Sequence, residues 1–294
     1  MVVIGIDAGG TEIKAGLLQG GEILATERLP TGRKSGANHA QEQVMHAVET
    51  MYKNFPNAQA IGLVVPGVVD AEAGIARYSE NIGWKDVLFG KMIHDLTGLP
   101  VGFGHDVRAG GIAESMYGAS KGHANSLFMP IGTGIAGAMI IEGRLFDDPF
   151  AGEIGHLNVG SAYGCNCGSH GCLETVATGP SITRIYNERS GEQLTSSEDV
   201  LKTSKGGNRI AQEVWAEATH AIGTALMAYI NIAAPELIVL GGGLSRAGAD
   251  LIEPISTYID SRITFQRRPK ICVAALGDSA GMIGAGILAA KAVG

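Results

Sequence analysis

The sequence predicts an α/β protein built from two similar halves, and three observations support this prediction. Short apolar strand patterns alternate with helical patterns along the 294 residues, which is typical of sheets packed against helices. A strand, a Gly/Thr-rich turn and a second strand occur at 4–18, and a similar pattern recurs about 125 residues later, at 129–143. The chain also contains 44 glycines without a collagen-like period, so we expect turns and places where backbone closely approaches a ligand.

Composition and charge narrow the class of protein. Hydrophobic residues make up 45% and charged residues 17%, which is typical of a globular chain rather than a disordered one. The formal net charge of −7 argues against nucleic acid or an anionic membrane as the main partner, because both attract Lys and Arg. The segment at 1–10 lacks the features of a signal peptide, and no apolar stretch is long enough to cross a bilayer. We therefore expect a soluble cytoplasmic protein.

The first half of the chain carries the elements of one α/β sheet. Three strands open it over 2–29, and the Gly20-Gly21 pair between the last two indicates a hairpin. The other predicted elements of this half are a helix over 38–54, a buried strand ending at Pro66-Gly67, a helix near 87–97, a strand at 101–106 and a helix over 107–118.

The second half begins again with three strands, within about 125–148, and continues with an irregular Gly- and Cys-rich segment over 149–175. The later predicted elements are helices near 179–189 and 207–233, the strand LIVLGG, a helix near 248–261, the strand ICVAAL and a helix near 280–292. We expect a first domain over 1–108 and a second over 109–279, with the terminal helix, about 280–294, packing back on the first domain.

The turn between the first two strands is a candidate phosphate site. Gly9 and Gly10 let backbone N–H groups approach an anion, and Thr11 offers a hydroxyl to a phosphate oxygen. Asp7, at the end of the first strand, is placed to hold a water ligand of Mg²⁺, and Lys14 ends the candidate nucleotide-binding segment. An ordinary Asx/Gly hairpin turn explains the same residues equally well.

Two further Gly-rich turns occur later in the chain. Thr133 and Gly134 lie in IGTGIAGA, which matches G-x-G-x-x-G but leads into a predicted strand, whereas a dinucleotide fingerprint must open a helix. A second phosphate-binding hairpin is therefore the better interpretation. The turn at Gly241, Gly242 and Gly243 comes after a strand, and its backbone is suited to lie against an adenine or ribose; a simple strand-to-helix loop is the alternative.

Asp106 lies at the end of a predicted strand, just before a helix. A carboxylate there is a candidate general base, accepting the proton of an attacking hydroxyl. An Asp at a helix start is also a common N-cap, and the local sequence leaves both interpretations open.

Three of the four cysteines crowd into eight residues, Cys165, Cys167 and Cys172, with His156 upstream. A Cys₃His set is typical of structural zinc with closed tetrahedral coordination, and a disulfide fits a cytoplasmic chain poorly. His170 is a rival fourth ligand, but it sits between two of the thiols.

Glu153 and Glu174 bracket this cysteine segment. Two carboxylates fixed by a rigid loop suit hydrogen bonding to vicinal hydroxyl groups, and sugars carry many of these. Two solvated surface acids are the alternative.

Together the Asp-Ala-Gly-Gly-Thr start, the Glu-Ile-Gly-His segment and the Cys-Asn-Cys-Gly-Ser-His-Gly-Cys-Leu-Glu segment resemble the ROK family of sugar kinases and repressors, of the actin/hexokinase/Hsp70-like superfamily. The similarity covers nearly the whole chain, and the cysteine segment is its most specific part. The resemblance implies two ribonuclease H-like α/β domains around a cleft, with a zinc loop at 153–174 in the second. It also implies ATP and Mg²⁺ as cofactors, structural Zn²⁺, and a homodimer.

The resemblance also implies roles for individual residues. Asp106 looks like the catalytic base, and His156 looks like a residue that binds zinc through one ring nitrogen and a sugar hydroxyl through the other. The remaining carried-over sugar ligands are Gly67, Asn81, His105, Glu153 and Glu174, and the nucleotide ligands are Asp7, Gly9, Gly10, Thr11, Lys14, Thr133, Gly134, Gly241, Gly242 and Gly243.

The sequence departs from the family at two positions beside the base. The family commonly has Asn immediately before the catalytic Asp and again two residues after it, where this chain has His105 and Arg108. Imidazole still donates to a hydroxyl, but its shape and charge differ from those of an amide, so the choice of sugar is open at this stage.

The reaction that the resemblance implies is transfer of a phosphoryl group from ATP to the 6-hydroxyl of a hexose. Glucose is the first expectation, and an N-acetylmannosamine or N-acetylglucosamine kinase is the alternative. Polyphosphate is a less expected donor because no extended basic track is visible. Three rivals come from other classes. A sugar-responsive repressor would need a helix-turn-helix, for which we expect no room before the strand that begins at Val2. A non-catalytic sugar sensor is not expected to keep Asp106 and both phosphate turns, and an actin-like assembly protein would not need the zinc loop.

Overall fold

The computed structural model describes every residue from 1 to 294, and its contacts divide the chain into two compact units. Unit 1 comprises Met1–Lys121, Asp147–Phe150 and Leu276–Gly294, and unit 2 comprises Gly122–Phe146 and Ala151–Ala275. The division after Lys121 lies beyond the expected boundary at residue 108, because the helix that begins at Asp106 packs along its whole length within unit 1.

Strands and helices alternate along the chain. In unit 1 they are β1 (Val2–Ala8), β2 (Glu12–Gln19), β3 (Glu22–Pro30), α1 (Ala37–Asn54), β4 (Ile61–Val65), β5 (Val68–Asp70), β6 (Ile75–Ser79), β7 (Trp84–Val87), α2 (Phe89–Thr97), β8 (Val101–His105) and α3 (Asp106–Tyr117). In unit 2 they are β9 (Ser126–Pro130), β10 (Ala138–Ile141), β11 (Arg144–Leu145), α4 (Glu174–Ala177), α5 (Gly179–Ser190), α6 (Ser197–Lys205), α7 (Arg209–Ala233), β12 (Leu237–Gly241), α8 (Ala249–Asp260) and β13 (Lys270–Val273). The last helix, α9 (Ala280–Ala292), returns to unit 1.

The main sheet of unit 1 has the strand order β3-β2-β1-β4-β8. The first three strands form an antiparallel meander, and β4 and β8 add to β1 in parallel. Parallel neighbours need crossover connections, which α1 and α2 supply.

A second, three-stranded sheet, β5-β6-β7, lies between β4 and α2 in the chain. No sequence pattern predicted this sheet, because its strands have three to five residues, many of them exposed, and so show little alternation.

The sheet of unit 2 repeats the arrangement of unit 1 with the order β11-β10-β9-β12-β13. Again three antiparallel strands come first and two parallel strands complete the sheet. The predicted internal repeat is confirmed, and so is the predicted α/β class, with ribonuclease H-like sheets and the cysteine loop in the second unit. Helix α6 was not predicted from the sequence. Ser196 is its N-cap, and the Ser196 hydroxyl accepts the Asp199 N–H.

A row of glycines lets α9 lie directly on the sheet of unit 1. Gly5, Gly62 and Gly102 are register neighbours on β1, β4 and β8. A methyl group at Gly62 would overlap the carbonyl group of Ala285, and the other two positions meet the α9 backbone in the same way. Because backbone packs on backbone here, substitution of any of the three with a larger residue requires the helix to move.

None of the helices combines the length and the apolar character that crossing a membrane requires.

Candidate active site and cysteine loop

The carboxyl ends of three parallel strands meet at one edge of the unit 1 sheet. Asp7 is the register partner of Val64 on β4, and Val65 is the register partner of His105 on β8. This edge of an open α/β sheet is the usual place for a ligand site. The sequence-predicted candidates in the β1–β2 turn, at Gly67 and at Asp106 therefore lie after strand ends along a single edge.

Asp7 has the most perturbed carboxyl group of the chain. Burial raises its pKa to about 7, and the negative charge of Asp106 adds to the rise, while Lys14 acts in the opposite direction. Lys14 lies across from Asp7 in the β1–β2 pair, and its Nζ donates to the Asp278 carbonyl oxygen at 3.1 Å. Two close carboxylates in a partly buried setting form a place where a cation would be favourable.

The first Gly-rich turn is fixed by the end of the neighbouring strand. Thr31, which is fully buried, donates its hydroxyl to the Gly9 carbonyl oxygen at 2.6 Å, and its N–H donates to the Thr11 carbonyl oxygen at 3.0 Å. Thr11 itself is exposed, and a side chain at Gly10 would meet only the end of Arg33. The turn is thus a braced hairpin with an open outer face, and no sequence motif pointed to the brace at Thr31.

Asp106 is the first residue of α3, and His105 occupies the N-cap position without a side-chain capping bond. One Asp106 carboxylate oxygen accepts the Val107 N–H at 2.7 Å and lies 3.4 Å from His105 Nδ1. The Asp106 side chain keeps 24% of its exposure, against 11% for His105. The carboxylate is therefore oriented by its own helix start and still reachable by a small molecule.

Gly67 and Asn81 are positioned by the small sheet. Gly67 has a φ of 98°, and a side chain there would overlap the carbonyl group of Tyr78. Only glycine fits both the conformation and the space. Asn81 lies in the exposed turn between β6 and β7, two residues after Ser79, which borders Gly67.

In unit 2, Glu174 supports the second Gly-rich turn. Its Oε1 accepts the Ile135 N–H at 2.5 Å, and side chains at Gly134 or Gly155 would collide with its carboxyl group. The carboxylate predicted as a sugar ligand therefore also ties the end of the cysteine loop to the turn that contains Thr133. Sequence reasoning missed this link because the two partners are 39 residues apart.

A cavity of about 810 Å³ lies beside this turn. It is lined by the second Gly-rich turn, by α5, by the segment before α6 and by the third Gly-rich turn; its walls include Gly132, Thr133, Thr183, Asn187, Ser196 and Gly243. The structure thus brings Thr133 and Gly243 to one cavity of ligand size.

Gly134, Gly241 and Gly242 do not line this cavity. Gly242 has a φ of 72° and packs against the Ile131 carbonyl group, and Gly241 packs against Phe128. These two glycines therefore allow the third Gly-rich turn to pack closely against β9 and the residue after it. The contributions of α5 and of the segment before α6 were not predicted, since neither carries a distinctive motif.

The His156, Cys165, Cys167 and Cys172 side chains converge, and their ligand atoms all lie within 4.8 Å of one another. Cys165 Sγ lies 3.7 Å from His156 Nδ1, and Cys167 Sγ lies 3.7 Å from Cys172 Sγ. Sulfur atoms about 2.3 Å from a tetrahedral zinc ion would be separated by roughly 3.7 Å, whereas a disulfide needs about 2.05 Å. The donor set therefore fits Zn²⁺, and the cysteines are free thiols. His170 is not part of the cluster.

The protonation of this cluster depends on its surroundings. Burial, with the neighbouring Cys165 and Cys167 thiols, raises the pKa of Cys172 to about 12. A metal ion would have to displace that proton, so metal binding at this loop would release acid.

The two ring nitrogens of His156 face different groups. Nδ1 faces Cys165, and Nε2 lies 4.0 Å from a Glu153 carboxylate oxygen. Glu153 is exposed at the start of a short 3-10 turn, Ile154–His156. The Glu153 carboxylate is thus exposed beside His156, whereas the Glu174 carboxylate is tied to the Ile135 backbone.

Comparison with known proteins identifies relatives along the whole chain. The ROK family model matches residues 3–292. A glucokinase from Halalkalibacterium halodurans is 32% identical over 97% of this chain and 94% of its own length.

Among solved structures, the ROK family glucokinase from Streptomyces griseus in complex with glucose and AMPPNP is 26% identical, with a TM-score of 0.85 over 99% of this chain and 100% of that one. The ROK hexokinase from Thermus thermophilus is 30% identical, with a TM-score of 0.82 over 100% of this chain and 99% of that one. Together with the braced Gly-rich turns and the Cys₃His cluster, these matches establish that the chain belongs to the ROK family.

Proposed function

We propose that this chain transfers the terminal phosphoryl group of ATP to the 6-hydroxyl of a hexose and that glucose is the preferred acceptor. The chain is an ATP-dependent sugar kinase, as its family and its relatives indicate; the sugar and the hydroxyl are the parts that we propose. The observation that carries the proposal is the Asp106 carboxylate, oriented by the start of α3 at the ligand edge of the unit 1 sheet and still partly exposed.

Asp106 is the proposed general base. Its carboxylate accepts a hydrogen bond from the attacking hydroxyl, orients the oxygen toward the γ-phosphorus atom and takes the proton as the new O–P bond forms. The bond from the γ-phosphorus to the bridging oxygen of ATP breaks in the same step, and ADP leaves. His105, with its ring 3.4 Å from the same carboxylate, is suited to bind a neighbouring hydroxyl.

The proposed nucleotide site uses backbone more than side chains. The cavity lined by Thr133 and Gly243 is the proposed site of the adenosine. The braced turn at Gly9, Gly10 and Thr11 is the proposed contact of unit 1 with the phosphates. Asp7 would hold Mg²⁺, directly or through a water ligand, and the bound ion would neutralise charge on the phosphates. Catalysis then rests on positioning and on charge neutralisation rather than on covalent chemistry.

The proposed sugar ligands of unit 2 are Glu153, His156 and Glu174. The carboxylates accept hydrogen bonds from vicinal hydroxyls, and His156 Nε2 remains available because Nδ1 faces the thiols. A zinc ion bound by Nδ1 and the three sulfur atoms would fix the ring and its tautomer. Gly67 and Asn81 are the proposed sugar neighbours of unit 1.

Glucose is favoured over other hexoses by the glucokinase names of relatives that match nearly the full chain, and by the glucose in the Streptomyces griseus complex. Polyphosphate as a donor has no comparable support from the residues around the cavity.

A coupled ADP-release assay with MgATP tests the proposal on a panel of glucose, mannose, fructose, allose, N-acetylglucosamine and N-acetylmannosamine. We expect glucose to give the highest kcat/KM and the product to carry phosphate on O6, as read by ³¹P–¹H NMR. A clear preference for an N-acetylhexosamine would overturn the choice of glucose. No ADP release with any sugar would overturn the proposal as a whole.

A further inference from the structure

Two charged side chains of this protein are buried, Arg108 and Glu114, and both project from α3. Glu114 accepts the backbone N–H groups of Ala119 at 2.7 Å and of Leu276 at 2.8 Å, and so secures the end of the helix on which it lies. Arg108 makes contacts in a different place, with a segment 40 residues away in the chain.

Arg108 holds the segment Asp147–Phe150 by two contacts. Its Nε lies 3.2 Å from the Asp147 carboxylate, and its Nη1 donates to the Asp148 carbonyl oxygen at 3.3 Å. The Arg108 side chain is only 8% exposed, whereas the Asp147 side chain is 64% exposed. Burial of a charge is costly unless the charge is paired. The buried Arg108 guanidinium has its partner in a segment at the surface.

This segment has few other means of keeping its shape. The Asp148 carboxylate accepts the Phe150 N–H at 2.8 Å, but Phe150 itself is 74% exposed and adds no core packing. On either side the backbone is held at Phe146, whose N–H donates to the Met139 carbonyl oxygen, and at Gly152, whose carbonyl oxygen accepts the Gly137 N–H. Arg108 supplies the contacts in the middle.

The segment leads directly to the residues proposed to bind sugar. Glu153 comes three positions after Phe150, and His156 comes after Glu153 in the same short turn. Residues two positions apart on a helix do not share a face, so Arg108 is directed away from the face that carries Asp106. Its contacts with Asp147 and Asp148 place this cation on the segment, two residues along α3 from Asp106.

We propose that Arg108 is a positioning residue that holds Asp147–Phe150 in the conformation from which Glu153 and His156 bind the sugar. This inference rests on the proposed sugar-kinase function. Without the Arg108 contacts, the segment would have to become ordered each time sugar binds. The free-energy cost of this ordering weakens the binding of the ground state and of the transition state equally. The expected signature is a higher KM for sugar with an unchanged kcat.

Steady-state kinetics of Arg108→Ala and Arg108→Lys test the inference. We expect Arg108→Ala to raise the KM for sugar about tenfold, as for loss of a charge-assisted hydrogen bond, and to leave kcat and the KM for ATP unchanged. Arg108→Lys keeps the ion pair with Asp147 but reaches fewer acceptors, so it should recover part of the loss. Arg268→Ala, which removes an exposed ion pair with Asp260, is the matched control and should behave as the unaltered protein.

Limited digestion with chymotrypsin provides a readout that needs no catalysis. Phe146 and Phe150 are 51% and 74% exposed, so release of the segment should speed cleavage after both residues in Arg108→Ala. Cleavage of Arg268→Ala should keep the rate of the unaltered protein. The thermal unfolding midpoint of each variant is measured to check that it is folded. Unchanged cleavage together with an unchanged KM for sugar would overturn the anchor. Faster cleavage in a protein that phosphorylates no sugar would retain the anchor and overturn the proposed function instead. A fall in kcat with no change in KM would contradict the positioning role.

Discussion

Units 1 and 2 have the same sheet order but differ in the residues that lie at the ends of their strands. In unit 1 the strand ends carry carboxylates, Asp7 and Asp106, and the turn is braced by a buried threonine. In unit 2 the corresponding first turn carries no acid, and Glu174 reaches it from the cysteine loop. The third strand has nine residues in unit 1 (β3) and two in unit 2 (β11), and a long irregular segment follows β11. The same sheet order thus carries carboxylates at the strand ends of one unit and a Cys₃His cluster near the strand ends of the other.

The two units also differ in a local feature that distinguishes each of them. Unit 1 depends on close backbone packing of α9 on a row of glycines. In unit 2 the loop from His156 to Cys172 brings four metal-ligating side chains together, while its Val159 and Tyr163 pack against the apolar core. Trp84 and Trp215, the two tryptophans, are both buried and lie one in each unit, so each unit can be followed separately by fluorescence.

Removal of the metal ligands should have the largest effect and should be confined to unit 2. We expect one zinc ion per chain by elemental analysis, and we expect Cys172→Ser to lose it. Bound zinc contributes on the order of 10 kcal/mol to small zinc-dependent folds, so the loop should lose its protection from hydrogen exchange while the amides of β1 and β4 keep theirs. Cys272→Ser, outside the cluster, is the control. Unaltered protection of the loop in a zinc-free variant would remove the metal from its structural role.

Asp106→Asn should abolish most of the activity without affecting the fold of either unit. Loss of a general base lowers kcat by about 10³-fold, while the sugar hydroxyl still has a hydrogen-bonding partner, so sugar binding by calorimetry should persist. Asp95→Asn, at an exposed ion pair on α2, should leave kcat unchanged. Substantial turnover by Asp106→Asn would assign the base to another group.

Asp7→Asn should change how the stability of unit 1 depends on pH. The folded-state pKa of Asp7 is raised from 3.8 to about 7, so the native state holds the proton more tightly than the unfolded state. The stabilisation is complete below about pH 4 and is lost as the pH rises through about 7. In magnesium-free buffer near pH 8, the variant should therefore be the more stable protein, by at most about 4 kcal/mol; this difference should fall to less than half near pH 5 and nearly vanish below about pH 4. Urea unfolding of a Trp215→Phe background, followed by Trp84 fluorescence, measures this; equal stabilities at both pH values would contradict the raised pKa.

Gly62→Ala should produce the smallest of these effects, again in unit 1. The added methyl group overlaps the backbone of α9, and we expect a loss of about 1–3 kcal/mol in the free energy of unfolding. Gly16→Ala is an instructive control, because its nearest obstacle is the flexible side chain of Met282. A similar loss for both variants would show that backbone contact is not what makes Gly62 special.

The sequence predicted most of the regular elements because their signals are local. Strand patterns, the repeated strand–turn–strand start and the cysteine spacing all lie within short windows, and the sheets and the cluster formed as expected. The small sheet β5-β6-β7 escaped because its strands are short and exposed.

The candidate site was only partly predictable, for a different physical reason. The residue types and strand ends pointed to Asp7, Asp106 and Thr133. The bond from Glu174 to Ile135 and the bond from Arg108 to Asp148 span 39 and 40 residues. Such contacts are fixed by the tertiary fold, which no local sequence pattern encodes. The sequence therefore showed that Arg108 replaces the Asn common in the family, but not which residues Arg108 would contact.

The return of α9 to unit 1 has a consequence for the newly made chain. A ribosome delivers the first 275 residues, and with them all of unit 2, before the helix that covers the glycine row has emerged. Until then the face of β1, β4 and β8 that α9 covers stays exposed. We therefore expect nascent chains stalled before α9 to bind chaperones at that face. We expect this binding to end once α9 has been released from the ribosome and packs there.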